Sequence, residues 1–349
     1  MTNQKALIAM SGGVDSSVAA HLTLQAGFCC TGATMELLDG GCSSQEAIAD
    51  AQAVAQRLGI PFHVFPLRED FQKEVMEDFV RCYETGLTPN PCVRCNRHLK
   101  FGRLLEKARE LGCDAVVTGH YARIIRDETT GRYLLAKARD AAKDQSYFLY
   151  ALTQEQLACI RFPLGEMTKE EARAIAEEQG FLNARKRDSQ DICFIPDGDY
   201  GAFLRRYTGK DYSRGPFLDL SGKQVGIHNG AVNYTLGQRK GLGLAMGAPV
   251  YVCAKDMQAN TVTVCPNEAL FSTELTAQDW FFFPFQWPQG PMEVKAKVRS
   301  RMEEQPATLY PLSDGKCRVV FREPQRAITP GQAVVLYDGD MVIGGGTII

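Results

Sequence analysis

Apolar residues in the first 200 positions fall into two alternating patterns. Short apolar runs at Ala6–Met10, Thr31–Met35, Phe62–Phe65 and Ala115–Thr118 read as strands. Between them, Asp15–Ala26, Ser44–Leu58, Phe71–Tyr83 and Leu99–Leu111 carry apolar residues at helical spacing. Gly27, Gly59 and Gly112 follow three of these stretches, and glycine is the residue that most easily closes a helix. Strands alternating with helices predict a parallel sheet with helices on both faces. Beyond residue 200 the pattern changes to short runs split by Gly, Pro, Asn and Asp. These are Val250–Ala254, Thr261–Val264, Met292–Val298, Lys316–Phe321, Gln332–Tyr337 and Met341–Ile343, an antiparallel all-β signature. The aromatic stretch Trp280–Trp287, with Pro284 and Pro288, reads as a junction. The fold class is therefore α/β plus all-β, with units at 1–199, 200–274 and 275–349.

A hydrophobic fraction of 45% in 349 residues supports more than one core and argues against disorder. No apolar run is long enough to span a membrane, and the opening MTNQKALIAM carries no secretory signal. The expected setting is the cytoplasm, where thiols stay reduced. Nine of the twelve cysteines, Cys29, Cys30, Cys42, Cys82, Cys113, Cys159, Cys253, Cys265 and Cys317, read as small core residues. The net charge of −2 hides an asymmetry. Residues 1–200 hold 23 basic and 28 acidic side chains, and residues 201–349 hold 16 and 13. Locally, Arg94, Arg97, Lys100, Arg103, Lys107 and Arg109 stand against one acid, Glu106. That run reads either as a solvated helix face or as a phosphate-binding patch.

Ser11-Gly12-Gly13-Val14-Asp15-Ser16-Ser17 lies between the first strand and the first helix. Two glycines bring backbone amides close to an anion, and the following helix aims its positive end at the same place. Asp15 is placed to hold Mg²⁺ or to cap the helix. The segment is neither a Walker A loop nor a GxGxxG fingerprint. It resembles the SGGxDS loop of the N-type ATP pyrophosphatases. That resemblance implies ATP cleaved to AMP and pyrophosphate, so that a nucleophile can displace AMP from an activated oxygen.

Asn90-Pro91-Cys92-Val93-Arg94-Cys95-Asn96 contains a CxxC, and Cys193 stands in Ser189-Gln190-Asp191-Ile192-Cys193-Phe194-Ile195. No second CxxC completes a structural zinc site. The alternatives are a catalytic thiol pair or a three-thiolate iron–sulfur site.

With these segments, the chain resembles the tRNA-specific 2-thiouridylases, the MnmA family, over nearly its whole length. The further segments that carry the resemblance are Thr88-Pro89-Asn90-Pro91, Thr118-Gly119-His120-Tyr121-Ala122 and Lys143-Asp144-Gln145-Ser146-Tyr147-Phe148-Leu149. Two more lie in the β-rich half, Tyr234-Thr235-Leu236-Gly237-Gln238-Arg239-Lys240-Gly241 and Thr329-Pro330-Gly331-Gln332. The resemblance implies an ATP-pyrophosphatase domain, a small central domain and a C-terminal β-barrel. It implies ATP contacts from Ala9, Met10, Ser11, Gly12, Gly13, Val14, Asp15 and Ser16, and from Met35 and Gly119. It places Asn90, Pro91 and Cys92 at the target uracil, and His120, Lys143, Asp144, Gln145, Arg299, Ser300 and Gln332 against tRNA. Cys193 matches the persulfide carrier and Cys95 its partner. The implied substrate is tRNA with a wobble uridine. The sulfur donor would be a persulfide relay protein, a cysteine desulfurase or free sulfide. The chain departs from the family at Cys92, where most members carry Asp. That change makes Cys92, Cys95 and Cys193 resemble the ligand set of iron–sulfur tRNA thiolases, and an iron–sulfur route is the leading expectation here. Rival readings are another SGGxDS adenylating ligase and an iron–sulfur RNA-binding regulator.

Overall fold

The computed structural model describes residues 4–38, 45–184, 186 and 192–349. Its first strands are β1 (Lys5–Ala9), β2 (Cys29–Glu36), β3 (Phe62–Pro66), β4 (Ala115–Val117), β5 (Arg123–Arg126), β6 (Tyr133–Ala136) and β7 (Ile160–Arg161). Five of them form a parallel sheet in the order β3-β2-β1-β4-β7. Ala6, Leu7 and Ile8 of β1 are all fully buried, as a strand covered on both faces requires. Ala6 and Ile8 pack with Val18 of helix α1 (Val14–Gln25) and Ala51 of helix α2 (Gln45–Leu58). Leu7 packs on the other face with Leu104 and Ala108. The sheet is thus sandwiched by helices, as the alternation predicts.

The order places β2 and β3 on one side of β1, and β4 and β7 on the other. The chain therefore reverses direction across the sheet between β1 and β4. Ligands of open α/β sheets sit at such switch points, beyond the carboxyl ends of the strands.

The central unit holds β8 (Gly215–Leu218), β9 (Gln224–His228), β10 (Tyr251–Asp256) and β11 (Thr261–Cys265), in the order β10-β11-β8-β9. The last unit holds β12 (Phe271–Phe282), β13 (Met292–Lys297), β14 (Gln305–Pro311), β15 (Cys317–Arg326), β16 (Ala333–Asp338) and β17 (Met341–Ile348). The sequence β12-β15-β14-β13-β16-β17 closes through β12–β17 pairing into an antiparallel barrel. Closure removes the exposed edges that an open sheet would leave.

Two features correct the sequence reading. Trp280 and Phe282 are not in a junction. They end β12, stack at 5.3 Å and pack with the barrel core. The β5–β6 hairpin, unpredicted by the pattern, leaves the first unit and joins β17 through Met341 opposite Ala136. Of the nine cysteines expected in cores, Cys30, Cys265 and Cys317 are buried, whereas Cys29 is exposed. Cys42 lies outside the described residues. No helix among the described residues is long and apolar enough to cross a membrane.

Candidate active site

Between β1 and α1, Met10–Gly13 turn the chain at the carboxyl edge of the sheet. Gly12 sits at φ +72°, and a Cβ there would lie 2.3 Å from the Ala47 carbonyl oxygen at the head of α2. Only glycine suits both demands. Ser16 Oγ donates to the Gly13 carbonyl at 3.0 Å and accepts from the Ser11 amide at 3.2 Å. Ser17 Oγ donates to the same carbonyl at 3.0 Å. Gly13 is the N-cap residue, and no side chain caps α1. The first turn of α1 therefore offers its positive end at the switch point, the arrangement that receives anions. Gly119 follows β4, and a Cβ there would lie 2.6 Å from the backbone of Asp15. Close packing of β4 against α1 thus accounts for Gly119.

Asp15 does not cap α1. Its oxygens accept from Lys169 Nζ at 2.8 and 2.9 Å and from Tyr121 Oη at 3.0 Å. The Lys169 side chain is 5% exposed and that of Asp15 is 30% exposed, so the carboxylate keeps an open side. The helix-cap expectation for Asp15 is thereby corrected, and its carboxylate is oriented by Lys169 and Tyr121 instead. Asn183 Nδ2 completes the loop's support, donating to the Gly12 carbonyl at 3.1 Å and to Ser17 Oγ at 3.0 Å. Sequence reasoning missed Lys169 and Asn183. The capping box of Thr168 and Glu171 marks a helix start, but nothing local shows that Lys169 reaches Asp15.

Pro91 opens a helix that runs to Glu110, α-helical over Pro91–Arg94, π-helical over Cys95–Arg103 and α-helical again from Leu104. Proline suits a first helical position because its fixed φ is already helical. Cys92 is exposed in the first turn and Cys95 is half-buried. The π segment is braced from outside. Gln156 Nε2 donates to the carbonyls of Arg97 (3.0 Å) and Phe101 (2.7 Å), and Asn96 Nδ2 donates to Phe148 (3.1 Å). The barrel props the loop before Pro91. Gln332 Nε2 donates to the carbonyls of Thr88 and Pro89 at 3.0 Å, and the Thr88 amide donates to Pro330 at 2.9 Å.

Met35, Cys95, Ile192 and Cys193 pack against one buried cluster that includes Phe71, Phe79, Leu99 and Phe194. The end of β2, the cysteine helix and the Cys193 segment therefore share one wall. Ser189, Gln190 and Asp191 lie outside the described residues. Among the described residues, no group of three or more His, Cys, Asp or Glu side chains is placed to hold a metal ion. Cys95 and Cys193 border the buried cluster, and Cys92 stands exposed one helical turn before Cys95.

The basic run 94–109 is largely paired. Arg94 meets Glu74 and Asp78, Arg103 meets Asp70 and Glu106, and Lys107 meets Glu110. Arg97 lies 4.4 Å over the Phe281 ring. The run is thus a compensated helix face rather than an open phosphate patch. Several expected tRNA contacts are also committed inside the protein. His120 is buried beside Phe101 and Phe162, and Thr118 Oγ1 lies 2.7 Å from its Nδ1. Burial and the nearby Lys100 ammonium hold its pKa well below the usual histidine value. Asp144 accepts from the Ala138 amide and Ser146 Oγ, and Gln145 Oε1 accepts from the Tyr121 amide. Arg299 donates to Thr329 Oγ1 and to the carbonyls of Ala327 and Leu236. These side chains and Gln332 brace the site. Asn90, Lys143 and Ser300 are half-buried, and Pro91 is buried.

Residues 4–197 match a family model described as the tRNA methyl transferase HUP domain. Residues 201–266 match the tRNA methyl transferase PRC-barrel domain, and residues 272–348 the aminomethyltransferase beta-barrel domain. A tRNA-specific 2-thiouridylase of Acetivibrio thermocellus is 49% identical over 358 residues, covering 100% of both chains. One of Clostridioides difficile is 46% identical over 354 residues, covering 99% of this chain and 98% of its own. The chain belongs to the tRNA-specific 2-thiouridylase family. Within the 2-thiouridylase family this chain places a thiol, Cys92, at the mouth of the helix that also carries Cys95.

Proposed function

We propose that this enzyme converts the wobble uridine of a tRNA to 2-thiouridine in two linked steps. ATP first transfers AMP to the uracil 2-oxygen and releases pyrophosphate. The Ser11–Ser17 loop and the uncapped first turn of α1 bind the phosphates and stabilise the charge that develops on them. A persulfide on Cys193, loaded by a sulfur donor, then attacks C2 with its terminal sulfur. Cys95 attacks Cys193 Sγ and breaks the persulfide S–S bond. The Cys95–Cys193 disulfide forms, the electron pair stays with the transferred sulfur, and C2=S forms as AMP departs. Mg²⁺ would enter with the ATP phosphates, and Asp15, oriented by Lys169 and Tyr121, would help to hold it. The persulfide route is preferred to the iron–sulfur one because, among the described residues, no group of three or more His, Cys, Asp or Glu side chains is placed to hold a metal ion.

One observation carries this reading. Met35, on the nucleotide side, and both Cys95 and Cys193 border one buried cluster, although they come from three distant segments. An adenylating ligase of the argininosuccinate synthetase kind has no use for two such thiols. Methyl transfer, the wording of two domain descriptions, has no use for an ATP-splitting loop. An RNA-binding regulator would release no AMP. For tRNA we propose contacts from Asn90, two residues before the exposed Cys92, and from Lys143 and Ser300, with the target base unstacked from its loop. Lys143→Glu should weaken tRNA binding and reduce the log–log salt slope by about 1.

The test is a paired assay with unmodified tRNA, ATP and a persulfide donor, following pyrophosphate and 2-thiouridine separately. Cys193→Ser should keep tRNA-dependent pyrophosphate release and lose 2-thiouridine. Pyrophosphate release that ignores tRNA, or thiolation that survives Cys193→Ser, would sink the proposal. Iron and sulfide assay after anaerobic purification tests the cluster route directly.

A further inference from the structure

The two residues that orient Asp15 are themselves fastened to one loop, and that loop carries Lys143. At its first end, Asp140 Oδ2 accepts from the Lys169 amide at 3.0 Å. Arg139, one residue earlier, donates from Nη2 to Glu171 Oε1 at 2.9 Å, so the loop is tied twice to the start of the helix Lys169–Glu178. At its other end, the Tyr121 amide donates to Gln145 Oε1 and the Gln145 amide donates to the Tyr121 carbonyl, both at 2.9 Å. Between these anchors the Ala142 amide donates to Asp140 Oδ1 and the Lys143 amide to the Asp140 carbonyl, both at 3.0 Å. The turn that holds Lys143 is therefore anchored on one flank to Lys169 and on the other to Tyr121.

The far ends of the same two residues meet at Asp15. Lys169 Nζ bonds both carboxylate oxygens and Tyr121 Oη bonds one of them. Tyr121 is 2% exposed and Lys169 4% exposed, and close-packed side chains pass a displacement on rather than absorb it. On the Tyr121 side, Gly119 packs so tightly on the Asp15 backbone that the path has little slack.

We propose, building on the Lys143 contact and the nucleotide loop of the reaction above, that Tyr121 and Lys169 are positioning residues that make ATP and tRNA bind cooperatively. An RNA phosphate on the Lys143 ammonium orders the 140–145 turn. The ordered turn fixes Lys169 through Asp140 and Tyr121 through Gln145, and these two fix the Asp15 carboxylate before the nucleotide arrives. The cost of ordering is then met once for two ligands, which is positive cooperativity. By linkage the effect is reciprocal, so ATP tightens tRNA by the factor by which tRNA tightens ATP.

The test measures binding rather than turnover. It uses the full-length protein, Mg²⁺, unmodified tRNA and an ATP analogue with a methylene bridge between the α and β phosphates. The Kd of the analogue is measured with and without saturating tRNA, and that of tRNA with and without the analogue. In the wild type both ratios should be equal, at about ten. Either ligand should also slow amide exchange in 140–145. Tyr121→Phe deletes the bond to Asp15 and keeps both bonds to Gln145. It should bring both ratios to within about twofold of one, whatever happens to the separate affinities. Gln145→Ala cuts the same path at its other end, away from the nucleotide, and should do likewise, with thermal unfolding as the check that each variant is folded. Ratios near one in the wild type, or undiminished ratios in either variant, would overturn the proposal and leave the thiolation reading standing. Absence of tRNA or analogue binding to the wild type would overturn both.

Discussion

The phosphate loop and the cysteine helix solve the same problem of positioning in opposite ways. The turn of the loop is set by its own residues, with Ser16 and Ser17 bonding the Gly13 carbonyl and Ser16 receiving the Ser11 amide, and Lys169 and Asn183 pin it from one neighbouring stretch. The cysteine helix is held from far away in sequence. Gln156 braces its π turns, Phe148 receives Asn96, and Gln332 of the barrel props the loop ahead of Pro91. A turn set by its own serines keeps its local form with few distant supports. An externally braced helix ties its thiols to the state of three other segments. Binding of an invariant phosphate suits the first design, and chemistry that moves sulfur between partners suits the second.

The largest expected effect separates the two regions outright. Cys193→Ser should lower 2-thiouridine formation by roughly a thousandfold or more while tRNA-dependent pyrophosphate release continues. Parallel loss of both activities would show that the regions do not act independently. Gly12→Ala is the converse experiment. It sets a methyl group against the Ala47 carbonyl and forces a side chain into a left-handed backbone, for a cost of about 3 kcal/mol or more. Denaturant unfolding and nucleotide binding should both show the damage. Thiol labelling at Cys95 under native conditions should change little, since its braces do not involve the loop.

The same contrast explains what the sequence made legible. Seven consecutive residues contain the loop's glycines, serines and helix start, so local chemistry is enough to read it. Alternating strand and helix patterns also carried the parallel sheet, because each strand is buried on both faces by the helices next to it in sequence. Cys95 and Cys193 stood out only through motif resemblance. Their shared wall, the π turn and the Gln156 brace depend on tertiary contacts that have no local period. His120 and Arg299 show what a motif leaves unread. They stand in motifs associated with tRNA, and only the structure shows that His120 is buried and that the half-buried Arg299 bonds Thr329 and Ala327. The basic run misled for a similar reason, since Asp70, Glu74 and Asp78 approach it from another helix.

Gln156→Ala tests the external bracing at one residue. It removes the donor from two carbonyls, Arg97 and Phe101, and also breaks the capping box with Thr153. The expected loss is about 2 kcal/mol by denaturant unfolding. Alkylation of Cys95 should accelerate while nucleotide binding is preserved. Equal disturbance of both sites would erase the distinction between the loop and the helix.

The smallest effect concerns the hairpin that reaches the thiol region from the central unit. Lys255, on β10, buries its Nζ without a hydrogen-bond partner among the described residues, 5.9 Å from the centre of the Tyr83 ring. Burial brings its pKa down to about 8. An unfolded chain holds that proton to about 10.4. At this site the unfolded chain therefore binds more protons between about pH 8 and 10, so the contribution of Lys255 to stability rises with pH, by at most about 1.4 kcal/mol per unit, while the buried thiols Cys30, Cys82 and Cys317, whose pKa burial raises, act in the opposite direction. Above about 10 the raised pKa of buried Tyr83 acts in the other direction, because the unfolded tyrosine loses its proton first. In a pH series of unfolding curves, the stability of the wild type relative to Lys255→Met should rise between about pH 8 and 10. The phosphate loop does not touch this hairpin, so nucleotide affinity over the same range should be the same in the variant and the wild type. A difference in affinity would mean that the central unit reaches the loop as well as the thiols.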